Sequence, residues 1–203
     1  MRKIVATPGN FRQKIVICVY FCCAAPAKEI HHGKSEKDVR MAHDGQSPDF
    51  ENVVILEDLL ALTAASIAPV EQILDSAIAS VKARVTADGR VSGALIEEHQ
   101  TAAHGLAWLA TYAQALKQMQ SWAEGLQANG EFGEVEQLLH QIAFGEYLWQ
   151  IYGGIQMNQG EIVRLQDLGL EQEDMRGLMS PAVMTLTQAA NSQAARTRLV
   201  ELM

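Results

Sequence analysis

An all-α fold, an antiparallel bundle of about four to six helices, is what this sequence predicts, and three observations carry that prediction. Apolar residues recur at spacings of three and four through most of residues 53–202. No stretch sustains the period-two alternation of a half-buried strand. The periodic runs are punctuated by strong stop and start signals, namely Asp88-Gly89, Asn129-Gly130, Gly153-Gly154 and Ser180-Pro181.

Residues 1–51 read as an unstructured leader and residues 52–203 as one helical domain, long enough to bury a real core. The charge is unevenly placed along the chain. Residues 1–40 hold 8 Lys/Arg against 3 Asp/Glu, whereas residues 41–203 hold 8 against 21. An acidic body argues against nucleic acid as a partner. Residues 15–25 are apolar and flanked by Arg12 and Lys14, the length of a secretory core segment and too short to span a membrane. Because composition changes at Met41, the favoured reading is an over-extended start, with the natural chain beginning near Met41; a signal peptide is the competing one. Cys18, Cys22 and Cys23 all precede the body, which therefore has no disulfide framework and fits a cytoplasmic setting.

Within the body, residues 53–66 form a first helical pattern that Pro69 should close. Pro69 can then open a second helix carrying Val70, Leu74, Ala77 and Val81, with Ile73, Ile78 and Val85 beside them, until Asp88-Gly89 turns the chain. Ser92 caps the longest element, expected to run to about Ala128. It bears two apolar stripes: Leu106, Leu109, Ala113, Leu116 and Ala123, then Trp108, Tyr112, Ala115, Met119, Trp122 and Leu126. A helix apolar on two faces is the middle of a bundle or lies in a subunit contact. From Phe132 to Tyr152 the seam reads Val135, Leu138, Ile142, Gly145, Trp149 and Tyr152, and Gly145 should let a neighbouring backbone approach. Gly153-Gly154 caps that helix, residues 160–168 form a short helix or turn, and Glu171, Glu173 and Asp174 make a solvated acidic patch. Ser180-Pro181 starts a last helix that ends at Leu202.

The chemistry is sparse. The one Glu-x-x-His, Glu29 to His32, lies in the leader, where a di-iron bundle needs two on its helices, and there is no His-Glu-x-x-His, no phosphate-binding loop and no nucleophile elbow. His99 and His104 are five apart and face different ways, while His140, four after Glu136, reads as part of a solvated helix face; no metal site is expected.

The end of the fourth run carries more. Gln150-Ile151-Tyr152-Gly153-Gly154, followed by Glu161, Val163 and Arg164, resembles the signature near the end of acyl-CoA dehydrogenases. There, a helix of the C-terminal four-helix bundle ends in Gln-x-x-Gly-Gly against the FAD of a neighbouring subunit, and Glu-x-x-Arg follows. The resemblance implies FAD contacts for Gln150, Gly153, Gly154 and Arg164. The longer run from Ala103-His104-Gly105-Leu106-Ala107-Trp108 through Gly145-Glu146-Tyr147 to Gly160-Glu161-Ile162-Val163-Arg164-Leu165 is similar to a branch of that family. It resembles the helical N-terminal extension of the methylsuccinyl-CoA dehydrogenases of the ethylmalonyl-CoA pathway, over roughly residues 53–175.

The departures from the family pattern are equally specific. No Tyr-Glu-Gly turn occurs, Arg164 is followed by Leu165-Gln166-Asp167, and nothing in the chain corresponds to the family's flavin-holding β-domain. Glu171 and Glu173 lie in a solvated acidic patch, not in the buried setting that a proton-abstracting base requires. The resemblance thus implies a helical domain or fragment of an FAD-dependent acyl-CoA dehydrogenase, not catalytic alone, binding no FAD by itself and partnered by a catalytic core. A free-standing module that dimerises through the helix at 92–128, its partner a second copy of itself, is the alternative from a different class.

Overall fold

The computed structural model describes residues 52–203. The expectations for the leader, its apolar run at 15–25 and its three cysteines lie outside the described residues. The body is the all-α bundle expected, with six α-helices and two very short antiparallel ribbons among the described residues. They are α1 Leu59–Val85, α2 Gly93–Glu98, α3 Gln100–Ala128, α4 Glu134–Gly153, α5 Pro181–Thr185 and α6 Gln193–Leu202.

Helix α1 corrects the first expectation, because Pro69 sits inside it and neither ends nor opens a helix. A proline at 69 removes one amide donor and leaves the carbonyl of Ala65 without its helical partner. Ala65 is exposed, so water can take that bond and the helix runs on. The buried face of Val70, Ile73, Ala77, Val81 and Val85 then holds both halves on one core. The helix also begins later than its periodicity predicts, at Leu59 instead of about 53.

Asp88-Gly89 makes a tight ribbon of β1 Thr86–Ala87 and β2 Arg90–Val91. Both turn residues have positive φ, 50° at Asp88 and 72° at Gly89, the requirement of the two-residue hairpin turn that suits twisted strands. The long element predicted from Ser92 to Ala128 is two helices. Ser92 caps α2, its hydroxyl accepting from the Leu95 amide at 3.5 Å, and the chain bends at His99 (φ −111°, ψ 35°). The amide of His99 donates to Leu95 O and that of Ala103 to His99 O, both at 3.0 Å, so hydrogen bonding reaches the bend from both sides.

Asn129-Gly130 ends α3 as expected, with Gly130 at φ 71°. The amides of Gly130 and Glu131 return to Gln127 O and Leu126 O at 3.1 and 2.8 Å, the paired bonds of a Schellman cap. Of the two stripes on α3, Leu109, Ala113, Leu116 and Ala123 are buried, with Leu106 half-buried; Trp108, Ala115, Met119, Trp122 and Leu126 on the second are half-buried around a buried Tyr112. Both predicted tryptophans of α3 therefore pack partly into the body.

The middle of the bundle is α4, since every residue from Leu138 to Gly145 is buried. It contacts α3, α6 and the segment after α5. Gly145 behaves as expected: a Cβ there would lie 2.9 Å from Ala190 Cβ, 3.0 Å from Asn191 N and 3.1 Å from Leu186 O. That neighbour is a π-helical segment, Leu186–Ala190, which follows α5 and breaks the predicted 181–202 helix into three pieces. Ser180 has extended backbone and precedes Pro181, but its hydroxyl makes no cap bond; Ser192 makes one instead, accepting from Ala195 N at 3.0 Å.

The start of the body is strapped to this centre. Gln141, fully buried, accepts from Leu56 N at 2.7 Å and donates to Val54 O and Ala190 O, both at 3.0 Å. The Ser192 hydroxyl donates to Val53 O at 2.5 Å. Backbone groups that a helix at 53–58 would have paired internally are satisfied by α4 and the α6 cap, which explains why α1 starts late. On the surface, Arg198 grips Glu134 through two bonds of 2.6 and 3.0 Å and holds that carboxyl below its usual range.

Candidate functional site

The candidate site is the place where α4 leaves the core. The predicted seam runs Val135, Leu138, Ile142, Gly145 and then Trp149 and Tyr152, but the structure turns its end over. Leu148 and Ile151 are the buried residues, while Trp149 is 55% and Tyr152 49% exposed. The reason is rotational: the buried face of an α-helix drifts against a strict three-four repeat, and contact with the π segment at Gly145 sets which side faces inward. Ile162, 46% exposed, stands beside the same helix end because its Cγ2 lies 2.6 Å from where a Gly154 Cβ would be.

Gln150 is half-buried and engaged at both ends. The Tyr112 hydroxyl donates to its Oε1 at 2.6 Å, and its Nε2 donates to Glu146 Oε1 at 2.6 Å. Glu146 Oε2 in turn accepts from Asn191 Nδ2 at 2.9 Å, and Arg196 Nη1 donates to Asn191 O and Oδ1 at 2.8 and 3.0 Å. Tyr147 stacks on Tyr112, centroids 4.6 Å apart and 22° from parallel. A polar chain thus ties α3, α4 and the start of α6 together through one glutamine.

The glycine pair divides its labour. Gly153 is the last residue of α4, exposed, with nothing within 4 Å of a would-be Cβ. Gly154 has φ 131° and ψ 129°, which favour glycine, and its amide donates to Gln150 O at 2.8 Å. The chain then enters a second ribbon, β3 Ile155–Gln156 against β4 Ile162–Val163, with Ile155 opposite Val163 and Gln156 opposite Ile162. Of the short helix or turn expected at 160–168, the structure forms turns at 165–169 after a two-residue strand, and in them the Arg164 amide donates to Asp167 Oδ2 at 2.7 Å. The Arg164 side chain is exposed, and among the described residues no ion pair engages it. Gly105 of α3 forms the floor: a Cβ there would collide with Val163 Cγ2.

Of the four predicted cofactor residues, Gly153, Gly154 and Arg164 meet at one corner of the surface, while Gln150 points into the polar chain. Sequence reasoning missed Tyr112 and Glu146 as its partners, and Asn191 as the partner of Glu146. Glu146 at four before Gln150 was the readable half of that signal; Asn191 is distant in sequence and carried none.

The histidines correct another expectation. His140 is not on a solvated face but 1% exposed, between Phe132 and Phe144 at 5.9 and 4.6 Å between ring centroids. The Thr63 hydroxyl is committed to Leu59 O at 2.9 Å, so His140 Nε2 is the donor in its 3.0 Å bond to Thr63 Oγ1. Its Nδ1 has no partner, and burial pushes the imidazole pKa down to about 4. His104 accepts from Trp108 Nε1 at 3.1 Å. Among the described residues no group of three His, Cys, Asp or Glu could hold a metal ion, and no helix is long and apolar enough to cross a membrane. Glu171, Glu173 and Asp174 are exposed, as expected, with Glu173 paired to Arg176 at 3.0 Å.

No protein-family model matches the chain. Against proteins of known function, 149 residues, 73% of this chain, are 51% identical to (2S)-methylsuccinyl-CoA dehydrogenase of Cereibacter sphaeroides. The matched stretch spans 26% of that relative's length, about a quarter of it. Over those 149 residues this chain is therefore similar to methylsuccinyl-CoA dehydrogenase, which is itself a member of the acyl-CoA dehydrogenase family.

Proposed function

We propose that residues 52–203 are a helical module of a methylsuccinyl-CoA dehydrogenase-like flavoprotein, one that packs against a catalytic body and carries out no hydride transfer alone. The observation that carries this reading is the 51% identity over 149 residues, confined to about a quarter of a much longer dehydrogenase. The exposed end of α4 supports it, because Trp149, Tyr152 and Ile162 form an apolar corner of the kind that a larger neighbour covers. The setting we infer is cytoplasmic, in keeping with a body free of cysteine.

FAD, when bound to such a body, accepts the hydride removed from the acyl thioester. What this chain offers toward it is Gly153, whose missing side chain leaves an open backbone, and the exposed cation of Arg164. Gln150 and Gly154 fit a shaping role better, the first held by Tyr112 and Glu146, the second closed over by Ile162. Neither Glu171 nor Glu173 has the burial that a proton-abstracting base requires, so that base belongs to the catalytic body.

The test is direct. The purified chain is expected to show no flavin absorbance and no thioester oxidation, and a titration with free FAD to give no saturable signal. One bound FAD per chain, or turnover by the chain alone, would refute the proposal. The half-buried face of Trp108, Met119 and Trp122 on α3 favours a second reading, a self-associating helical module. Light scattering on the eluted protein separates the two, a stable dimer unchanged by added catalytic body favouring the second.

A further inference from the structure

Between the last turns of α4 and the π segment lies an open cleft of about 480 Å³, lined by Gly145, Glu146, Trp149, Thr187, Gln188 and Asn191. Three features shape it. Gly145 presents no side chain, the π segment adds a residue to its turn and so displaces Thr187 and Gln188, and Trp149 offers an exposed indole at one end.

Glu146 gives the cleft its chemistry. Its two oxygens each accept one bond from a neutral amide, Gln150 Nε2 and Asn191 Nδ2. A carboxylate has about four acceptor positions, so each oxygen keeps one in reserve. Among the described residues no lysine or arginine pairs with Glu146. The nearest cation in this network, Arg196, is turned onto Asn191 O, Asn191 Oδ1 and Gln193 Oε1. A half-buried anion without a counter-ion, beside an exposed aromatic face and on a body with 18 Asp/Glu against 8 Lys/Arg, calls for a planar cation.

We propose that this cleft receives an arginine side chain from a partner polypeptide, its guanidinium forked onto the free positions of Glu146 and its plane laid on Trp149. The geometry favours arginine over lysine, since two acceptor positions side by side and an adjacent indole match a flat, multi-donor head. This assignment goes beyond the flavoprotein reading and stands without it, because any basic partner surface would serve.

The test uses the full chain labelled for NMR and two small probes, Nα-acetyl-arginine methylamide and its neutral citrulline counterpart. The expected result is a saturable shift of the Thr187 and Gln188 backbone amides with the arginine probe and none with citrulline. Glu146→Gln should weaken the response about ten-fold or more, the effect of losing a charge-assisted bond. Because Glu146 also receives two internal bonds, Trp149→Ala serves as a second variant that leaves the fold intact. It should weaken arginine binding several-fold with the reporting amides unchanged in the absence of probe. Equal responses to the two probes, an undiminished response in either folded variant, or no saturable shift would each overturn the assignment.

Discussion

Replacing Gln141 by alanine is expected to cost about 3–5 kcal/mol of stability, far more than most polar substitutions. The figure follows from the three bonds this buried side chain makes, to Leu56 N, Val54 O and Ala190 O. At about 1 kcal/mol net per bond the floor is about 3 kcal/mol. Leaving those backbone groups dry and unpaired adds to it, but the bonds to Leu56 and Val54 are only part-buried and water recovers some of the loss, which keeps the ceiling near 5 kcal/mol. Gln141→Leu provides the discriminating comparison. Leucine fills the space and excludes water, so it should be no more stable than alanine despite its larger apolar surface. Urea denaturation gives both values, and amide exchange at Leu56 reports whether the strap has detached. A leucine variant clearly more stable than the alanine one, or a loss below about 1 kcal/mol in both, would refute the idea that this side chain holds the start of the domain.

Two glycines should respond oppositely to alanine. Gly145→Ala places a Cβ within about 3 Å of Ala190, Asn191 and Leu186 and should destabilise by about 1–3 kcal/mol, whereas Gly125→Ala meets nothing within 4 Å and should gain up to about 1 kcal/mol in helix propensity; thermal melts with the same sign for both would contradict the packing described. Gly130→Ala puts a side chain at φ 71° in the Schellman cap and should cost about 1 kcal/mol, read from the urea midpoint. His140 sets a pH dependence. Its folded pKa of about 4 lies below the ordinary value of 6.5, so the neutral form is the stabilised one. That stability is complete above pH 6.5 and is lost as pH falls toward 4, by about 3 kcal/mol in all. His140→Phe should flatten this slope, and an unchanged slope in the variant would assign the acid sensitivity to other groups.

The fold was legible wherever local chemistry dictated it. Asp88-Gly89, Asn129-Gly130 and Gly153-Gly154 mark real ends because positive φ or a missing Cβ is required there, and Gly145 sits where a backbone comes close. Pro69 misled because a single lost hydrogen bond is cheap on an exposed side when the rest of the helix has a continuous buried face. The end of the α4 seam misled for another reason: Leu148 and Trp149 are both apolar, and only the position of the π segment decides which turns inward. At the candidate site, the glycine pair and Arg164 could be read from order along the chain. The partners of Gln150, Glu146 and His140 could not, because Tyr112, Asn191 and Thr63 reach them from elements far away in sequence.

The carbonyl of Val53 ends on the hydroxyl that caps α6, and this has a practical meaning for anyone trimming the chain. A shortened protein beginning at Leu59 would retain all six α-helices yet strip Gln141 of two partners and Ser192 of one. Where a helix begins and where a foldable unit begins are different places here, separated by a few non-helical residues that close the circuit between first and last.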